Sequence, residues 1–89
     1  MRLEFDPRGD IAYFHVAPDV DVKVDHTERV GDGEEYERGI DFDADGGIVG
    51  YEFMNASRGL DLVGLPHREE IAAFIAGVTG LRVIIIPDA

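Results

Sequence analysis

Outward from Asp45-Gly46, in the segment GIDFDADGGIVGYEF, large apolar residues recur at every second position on either side. No other feature of the chain constrains its fold as tightly. An Asp-Gly pair between two alternating runs is a strong short-range signal for a two-residue β-hairpin turn. With Asp45-Gly46 at the corner, Ala44 pairs with Gly47, Phe42 with Val49 and Ile40 with Tyr51. Every large side chain in those pairs is then apolar and lies on one face. Asp41, Asp43 and Glu52 fall on the other. The same letters also match the calcium-loop pattern D-x-[DN]-x-[DN]-G-x₅-E, through Asp41, Asp43, Asp45, Gly46 and Glu52. A calcium loop of that kind follows a helix, and the preceding VGDGEEYERGI carries three glycines that no useful helix survives. The hairpin accounts for more residues and is the reading taken. Divalent-cation binding through residues 41–52 is the alternative, with no metal ligand assigned.

A second hairpin is predicted at the start of the chain, in LEFDPRGDIAYFHV. Pro7 presets the first inner position of a turn, and Gly9 can take the left-handed conformation that closes it. If Asp6 pairs with Asp10, Phe5 faces Ile11 and Leu3 faces Tyr13. Strict alternation of Val20, Val22 and Val24 with charged residues predicts a half-buried third strand. Residues 26–39 read as a solvated, mobile acidic loop, with a frayed strand end over 27–30. Pro66, followed by Glu69 and Glu70, opens a helix whose buried stripe is Ile71, Phe74, Ile75 and Val78. The run LRVIII then forms a last strand, covered on both faces or placed at an interface.

Composition narrows the function. Nineteen acids against eight bases give a net charge of −11 over 89 residues, which disfavours nucleic acid and anionic membranes as partners. The excess of Asp and Arg fits either a high-salt cytoplasm or a GC-rich genome. There is no cysteine, so disulfides and thiolate chemistry are excluded. No apolar run reaches bilayer length and the N-terminus lacks a secretion signal, so a cytoplasmic location is expected. His15, His26 and His67 have no metal-ligand spacing and read as surface or edge histidines, His15 being the one expected to be partly buried. Ser57 has no nucleophile-elbow context and reads as a turn residue. The glycines at 31 and 33 stand among acids that would repel a phosphate. No catalytic residue and no cofactor are assigned, and the protein is not expected to be an enzyme.

The segments LEFDPRGDIAYFHV and GIDFDADGGIVGYEFMNAS, with the valine-rich stretch between them, resemble the small prokaryotic proteins of the domain of unknown function 2283 family. In that family a Tyr/Phe-Asp-Pro turn leads to an Asp-Ala-Leu-Tyr-like strand. A later Asp-Tyr-Asp-x-Asp-Gly-x-Ile-Val-Gly-Ile-Glu-Ile segment ends in Ala-Ser. The resemblance covers residues 1–57, leaving 58–89 as a helix–strand extension of the same single domain. The chain departs from the pattern with Ile11-Ala12 where Ala-Leu is usual, and with a longer acidic loop before Gly39. The resemblance implies no activity or cofactor. Because some members are encoded beside small toxin-like proteins, it implies an antitoxin-like role.

The expected fold is α+β and mainly antiparallel β, a hairpin meander in the order β-β-β-β-β-α-β with one C-terminal amphipathic helix. Phe14, Val16, Ile48, Met54, Ile84 and Ile86 are expected opposite the inward residues of their strands, an apolar surface that a second copy would cover. The expected function is a small acidic protein-interaction module, a homodimer whose further partner is a protein with a basic surface. The residues assigned to partner contact are Glu34, Glu35 and Glu37 of the loop, with Asp41, Asp43 and Glu52 of the hairpin.

Overall fold

The computed structural model describes residues 2–16, 22–31, 38–77 and 83–84. Strands β1 (Arg2–Asp6) and β2 (Ile11–His15) form the first hairpin. Its loop is longer than Pro7 and Gly9 suggest. Asp6 pairs with Ile11, so four residues turn the corner, and the left-handed position falls on Asp10 (φ 54°) instead of Gly9. The Asp6 carboxylate helps set this geometry by accepting the Arg8 N–H at 2.9 Å. The extra residue shifts the register by one, pairing Phe5 with Ala12 and Leu3 with Phe14. Ala12 and Phe14 therefore point into the core, while Ile11, Tyr13 and His15 face the other way, the reverse of the expected assignment.

The hairpin between β4 (Arg38–Phe42) and β5 (Ile48–Met54) forms where Asp45-Gly46 places it, by a slightly different route. Gly46 N–H donates to the Asp43 carbonyl at 3.1 Å, and Asp43 N–H donates to the Gly47 carbonyl at 2.8 Å. The loop is thus the three residues Ala44, Asp45 and Gly46, with Gly46 left-handed at φ 84°. That offset would spoil the register further down. A bulge at Val49 restores it: Phe42 pairs with Ile48, yet Asp41 pairs with Gly50 and Ile40 with Tyr51.

Strand β3 is His26–Val30, not the valine-rich stretch. Val22 and Val24 lie outside any strand, with Val24 46% exposed, while Val20 falls outside the described residues. As an edge strand with only Val30 partly buried, β3 has almost no apolar pattern to announce it. The five strands form one antiparallel sheet in the order β1-β2-β5-β4-β3, so the last strand in sequence is the central one.

Beyond β5 come a 3₁₀ turn (Ala56–Arg58), β6 (Leu60–Asp61), helix α1 (Arg68–Ile75) and β7 (Val83–Ile84). β6 lies in the run LDLVGL, whose apolar residues read as a packed extended segment but not as a paired strand; it pairs in parallel with β7 across α1 as a separate two-stranded sheet. Pro66 sits in the turn before α1, with Glu69 and Glu70 in the first turn of the helix. Ile71 and Ile75 are buried, and Phe74 meets Phe14 edge to face with ring centroids 5.2 Å apart. Val78 and Ile86 lie outside the described residues. The core is one cluster joining Ala12, Phe14, Ile40, Tyr51 and Phe53 of the sheet to Leu60, Leu62, Leu65, Ile71 and Ile75 of the C-terminal segment. The fold is α+β and mainly antiparallel β. No helix among the described residues is long and apolar enough to cross a membrane.

Candidate functional site

The C-terminal segment covers one face of the sheet. On the other face, polar side chains from all five strands meet in a chain of contacts centred on Tyr13. The Tyr13 ring leaves β2, lies across Gly50 of β5 and donates its hydroxyl to Asp41 Oδ2 of β4 at 2.6 Å. Glycine at 50 is a steric requirement. A Cβ there would stand 2.7 Å from Tyr13 Cε1, from its hydroxyl oxygen and from the Phe14 carbonyl oxygen. Thr27 of β3 donates its hydroxyl to the other Asp41 oxygen at 2.5 Å, its methyl lying against Gly39, where an added Cβ would come within 3.2 Å. Arg29 of β3 pairs with Glu52 of β5 at 3.5 Å. Towards β1, Tyr13 meets His15 edge to face at 4.6 Å, and Glu4 lies 3.3 Å from His15 and 3.2 Å from Arg2.

These contacts hold the Tyr13 hydroxyl in its protonated form. Partial burial is the main cause, followed by donation to Asp41 and then by the charges of Asp41, Glu52 and Glu4, all pushing its pKa well above the ordinary tyrosine value. Asp41 is acceptor to two hydroxyls at once, which fixes both oxygens in place.

Of the residues assigned to partner contact, Asp41 and Glu52 stand on this face. Asp43 does not: its Oδ1 accepts the N–H groups of Asp45 (2.9 Å) and Gly47 (2.8 Å) and holds the hairpin loop. Glu34, Glu35 and Glu37 lie outside the described residues. Among the described residues no group of three or more His, Asp or Glu side chains is placed to hold a metal ion. Phe14, Val16 and Ile48, expected on the uncovered side, pack in or against the core; Met54 lies on the open face opposite Ile11. The partly buried histidines are His15 and His67, the latter with Nδ1 2.7 Å from the buried Tyr51 hydroxyl. His26 pairs with Asp25 at 2.8 Å and stacks on Phe42.

Sequence reasoning missed Tyr13, Thr27, Arg29, His15, Glu4 and Arg2 as members of one face. The available signal was the pair of glycines, Gly39 and Gly50, inside strands: a glycine in a strand interior marks close approach by something else.

A further contact ties the two hairpins together. Asp10 Oδ1 accepts the Ser57 N–H at 2.7 Å, Oδ2 accepts the Ser57 hydroxyl at 2.6 Å, and the Asp10 carbonyl accepts the Ala56 N–H at 2.9 Å. Ser57 is thus a structural turn residue. The model of one protein family matches residues 2–57, which ends on this clasp. The chain belongs to the DUF2283 family. Its description is that of a protein of unknown function, and the match takes in the whole five-stranded sheet while stopping short of β6. No curated protein and no solved structure matches the chain. Asp10 and the Ala56-Ser57 pair, far apart in sequence, are hydrogen-bonded neighbours within the matched residues.

Proposed function

We propose that this DUF2283 protein is a small acidic protein-interaction module that binds a partner with a basic surface through the open face of its sheet. The observation that carries this reading is the Tyr13-centred network. Tyr13, Arg2, Arg29 and Met54 are residue types enriched at protein contacts, and hydrogen bonds and ion pairs hold three of them in place before any partner arrives. The face carries Glu4, Asp41 and Glu52 against Arg2 and Arg29. The whole chain adds a field of −11 charges that steers a cationic partner. An antitoxin-like role, in which the basic partner is a small toxin-like protein, is the form the family resemblance suggests.

Self-association is the less favoured partner class, since Phe14, Val16 and Ile48 are taken up by the core. Calcium binding has less support still, since Asp43 is engaged by two backbone N–H groups and Asp41 by two hydroxyls.

The test is capture from the native lysate with the wild-type chain and with Glu52→Lys. The reading expects one basic protein retained at low salt, released as ionic strength rises past about 0.5 M, and held several-fold more weakly by the variant. Capture that ignores both salt and the charge reversal overturns it.

A further inference from the structure

Strand β3 is a rim of the five-stranded sheet, paired with β4 on one side and, among the described residues, with no strand on the other. A strand in that position turns every second backbone N–H and C=O outward, a template for a further strand. The rim is uncovered: His26, Thr27, Glu28 and Arg29 are all exposed, and Val24 just before them is 46% exposed. The ladder reaches back to Asp25, whose N–H donates to the Phe42 carbonyl at 2.7 Å. No proline or glycine interrupts residues 24–30, VDHTERV.

That segment complements itself when run antiparallel. A strand that extends the sheet must set open-face residues opposite open-face residues, so a two-fold axis has to pass through a residue of β3 and not between two. With the axis at Thr27, Thr27 faces Thr27, His26 faces Glu28, Asp25 faces Arg29 and Val24 faces Val30. Apolar then meets apolar, acid meets base and hydroxyl meets hydroxyl, each unlike pair being made twice. Moving the axis to Glu28 sets two glutamates against each other and His26 against Val30. Moving it to His26 sets Val24 against Glu28 and Lys23 against Arg29. The neighbouring registers each oppose like charges; the one at Thr27 opposes none.

We infer that residues 24–30 are a self-recognition edge, through which two copies join β3 to β3, antiparallel about Thr27, in one continuous ten-stranded sheet. A second copy is the occupant because the pattern of charge and apolar residues fits its own reverse in this register. The contact itself is close to neutral: Asp25 and Glu28 stand against Arg29 in each copy. The rest of the net charge of −11 is spread over a body 31 Å long and is screened within about 8 Å at physiological ionic strength. Joining the edges covers Val24 and Val30 and leaves Phe14, Val16 and Ile48 with the core that takes them up. The axis crosses the sheet, so the two open faces turn the same way. The inference stands on β3 and does not depend on the assignment of a basic partner.

Sedimentation equilibrium of the full chain, at about 0.15 M salt and up to about 1 mM protein, tests the contact. A concentration-dependent dimer is expected, and a monomer throughout overturns the inference. Glu28→Lys separates register from overall charge. It moves the net charge from −11 to −9, which lessens general repulsion, yet it sets lysine against His26 on both sides of the axis. Dimerisation should weaken about tenfold; association as tight as wild type or tighter overturns the inference. His26→Glu opposes two glutamates and should weaken the dimer likewise. Mixed in equal amounts, the two variants place each new charge opposite its complement, and a heterodimer at least about tenfold tighter than either homodimer is expected. A mixture no tighter than its components overturns the register. Glu28→Lys decides the matter by itself if losing the stack of His26 on Phe42 unfolds the other variant.

Discussion

Replacing Asp10 tests how much of the fold hangs on the clasp between the two hairpins. Asp10→Ala removes the acceptor for the Ser57 N–H and for its hydroxyl, and places alanine at φ 54°. Two hydrogen bonds on a partly exposed carboxylate contribute about 1 kcal/mol each, and alanine in the left-handed region costs about 1 kcal/mol more. The sum is about 3 kcal/mol, against about 4 to 13 kcal/mol for a domain of this size. Asp10→Gly removes the same acceptors but relieves the backbone angle that Asp10 itself bears, which offsets the flexibility of glycine, so its loss is about 2 kcal/mol. Asp10→Asn tolerates the angle and keeps one acceptor, and loses about 1 kcal/mol. Urea melts read the series directly: with m near 1 kcal/mol/M, the alanine variant melts roughly 2 to 3 M earlier than wild type. Ser57→Ala should cost about 1 kcal/mol alone and almost nothing on top of Asp10→Ala. If alanine and glycine lose the same amount, the strain argument fails. If the Ser57 effect persists undiminished in the double variant, the clasp itself is refuted.

Gly50→Ala should destabilise by about 1 to 3 kcal/mol, because the new methyl meets the Phe14 carbonyl oxygen, which cannot move aside as a side chain can; a melt within 0.5 kcal/mol of wild type rejects this. Asp43→Ala should cost about 1 to 2 kcal/mol in the presence of a chelator, since the carboxylate holds Asp45 and Gly47 N–H groups; stability that changes only when calcium is supplied would reverse that assignment. The raised pKa values of Tyr13, chiefly through burial, and of Tyr51, also chiefly through burial, set the alkaline limit. Above the ordinary tyrosine value the unfolded chain gives up protons that the folded chain keeps, so stability is full below about pH 10 and falls as pH rises beyond it. Tyr13→Phe should flatten that fall in urea midpoints between pH 8 and 12, and an equally steep fall in the variant contradicts it.

Both hairpins are legible in the sequence because turns are local. Asp45-Gly46 marks its corner within a few residues, and Pro66 with the 71/74/75 spacing marks the helix in the same way. Register is less local. In the first hairpin it turns on whether Gly9 or Asp10 takes the left-handed angle, a choice made by the Asp6 carboxylate and by the docking of Asp10 on Ser57. β3 shows in the sequence only as a frayed strand end over 27–30, and β6 only as part of an extended apolar run, because an exposed edge strand and a two-residue strand carry no apolar period. The open face is harder still. Tyr13, Thr27 and Asp41 come from three strands, and only the strand order makes them neighbours, so no short window of sequence contains the network.

The central position of β5 has a kinetic consequence. Strands β1 and β2 close locally, as do β3, β4 and β5 in succession, but the seam where Ile11 meets Met54 and His15 meets Gly50 joins two pieces that are remote along the chain. Closing that seam carries the largest loop-closure cost in the sheet, so it is the step expected to limit refolding. Stiffening either corner speeds nothing if the two pieces still have to find each other; shortening the path between His15 and β3 does.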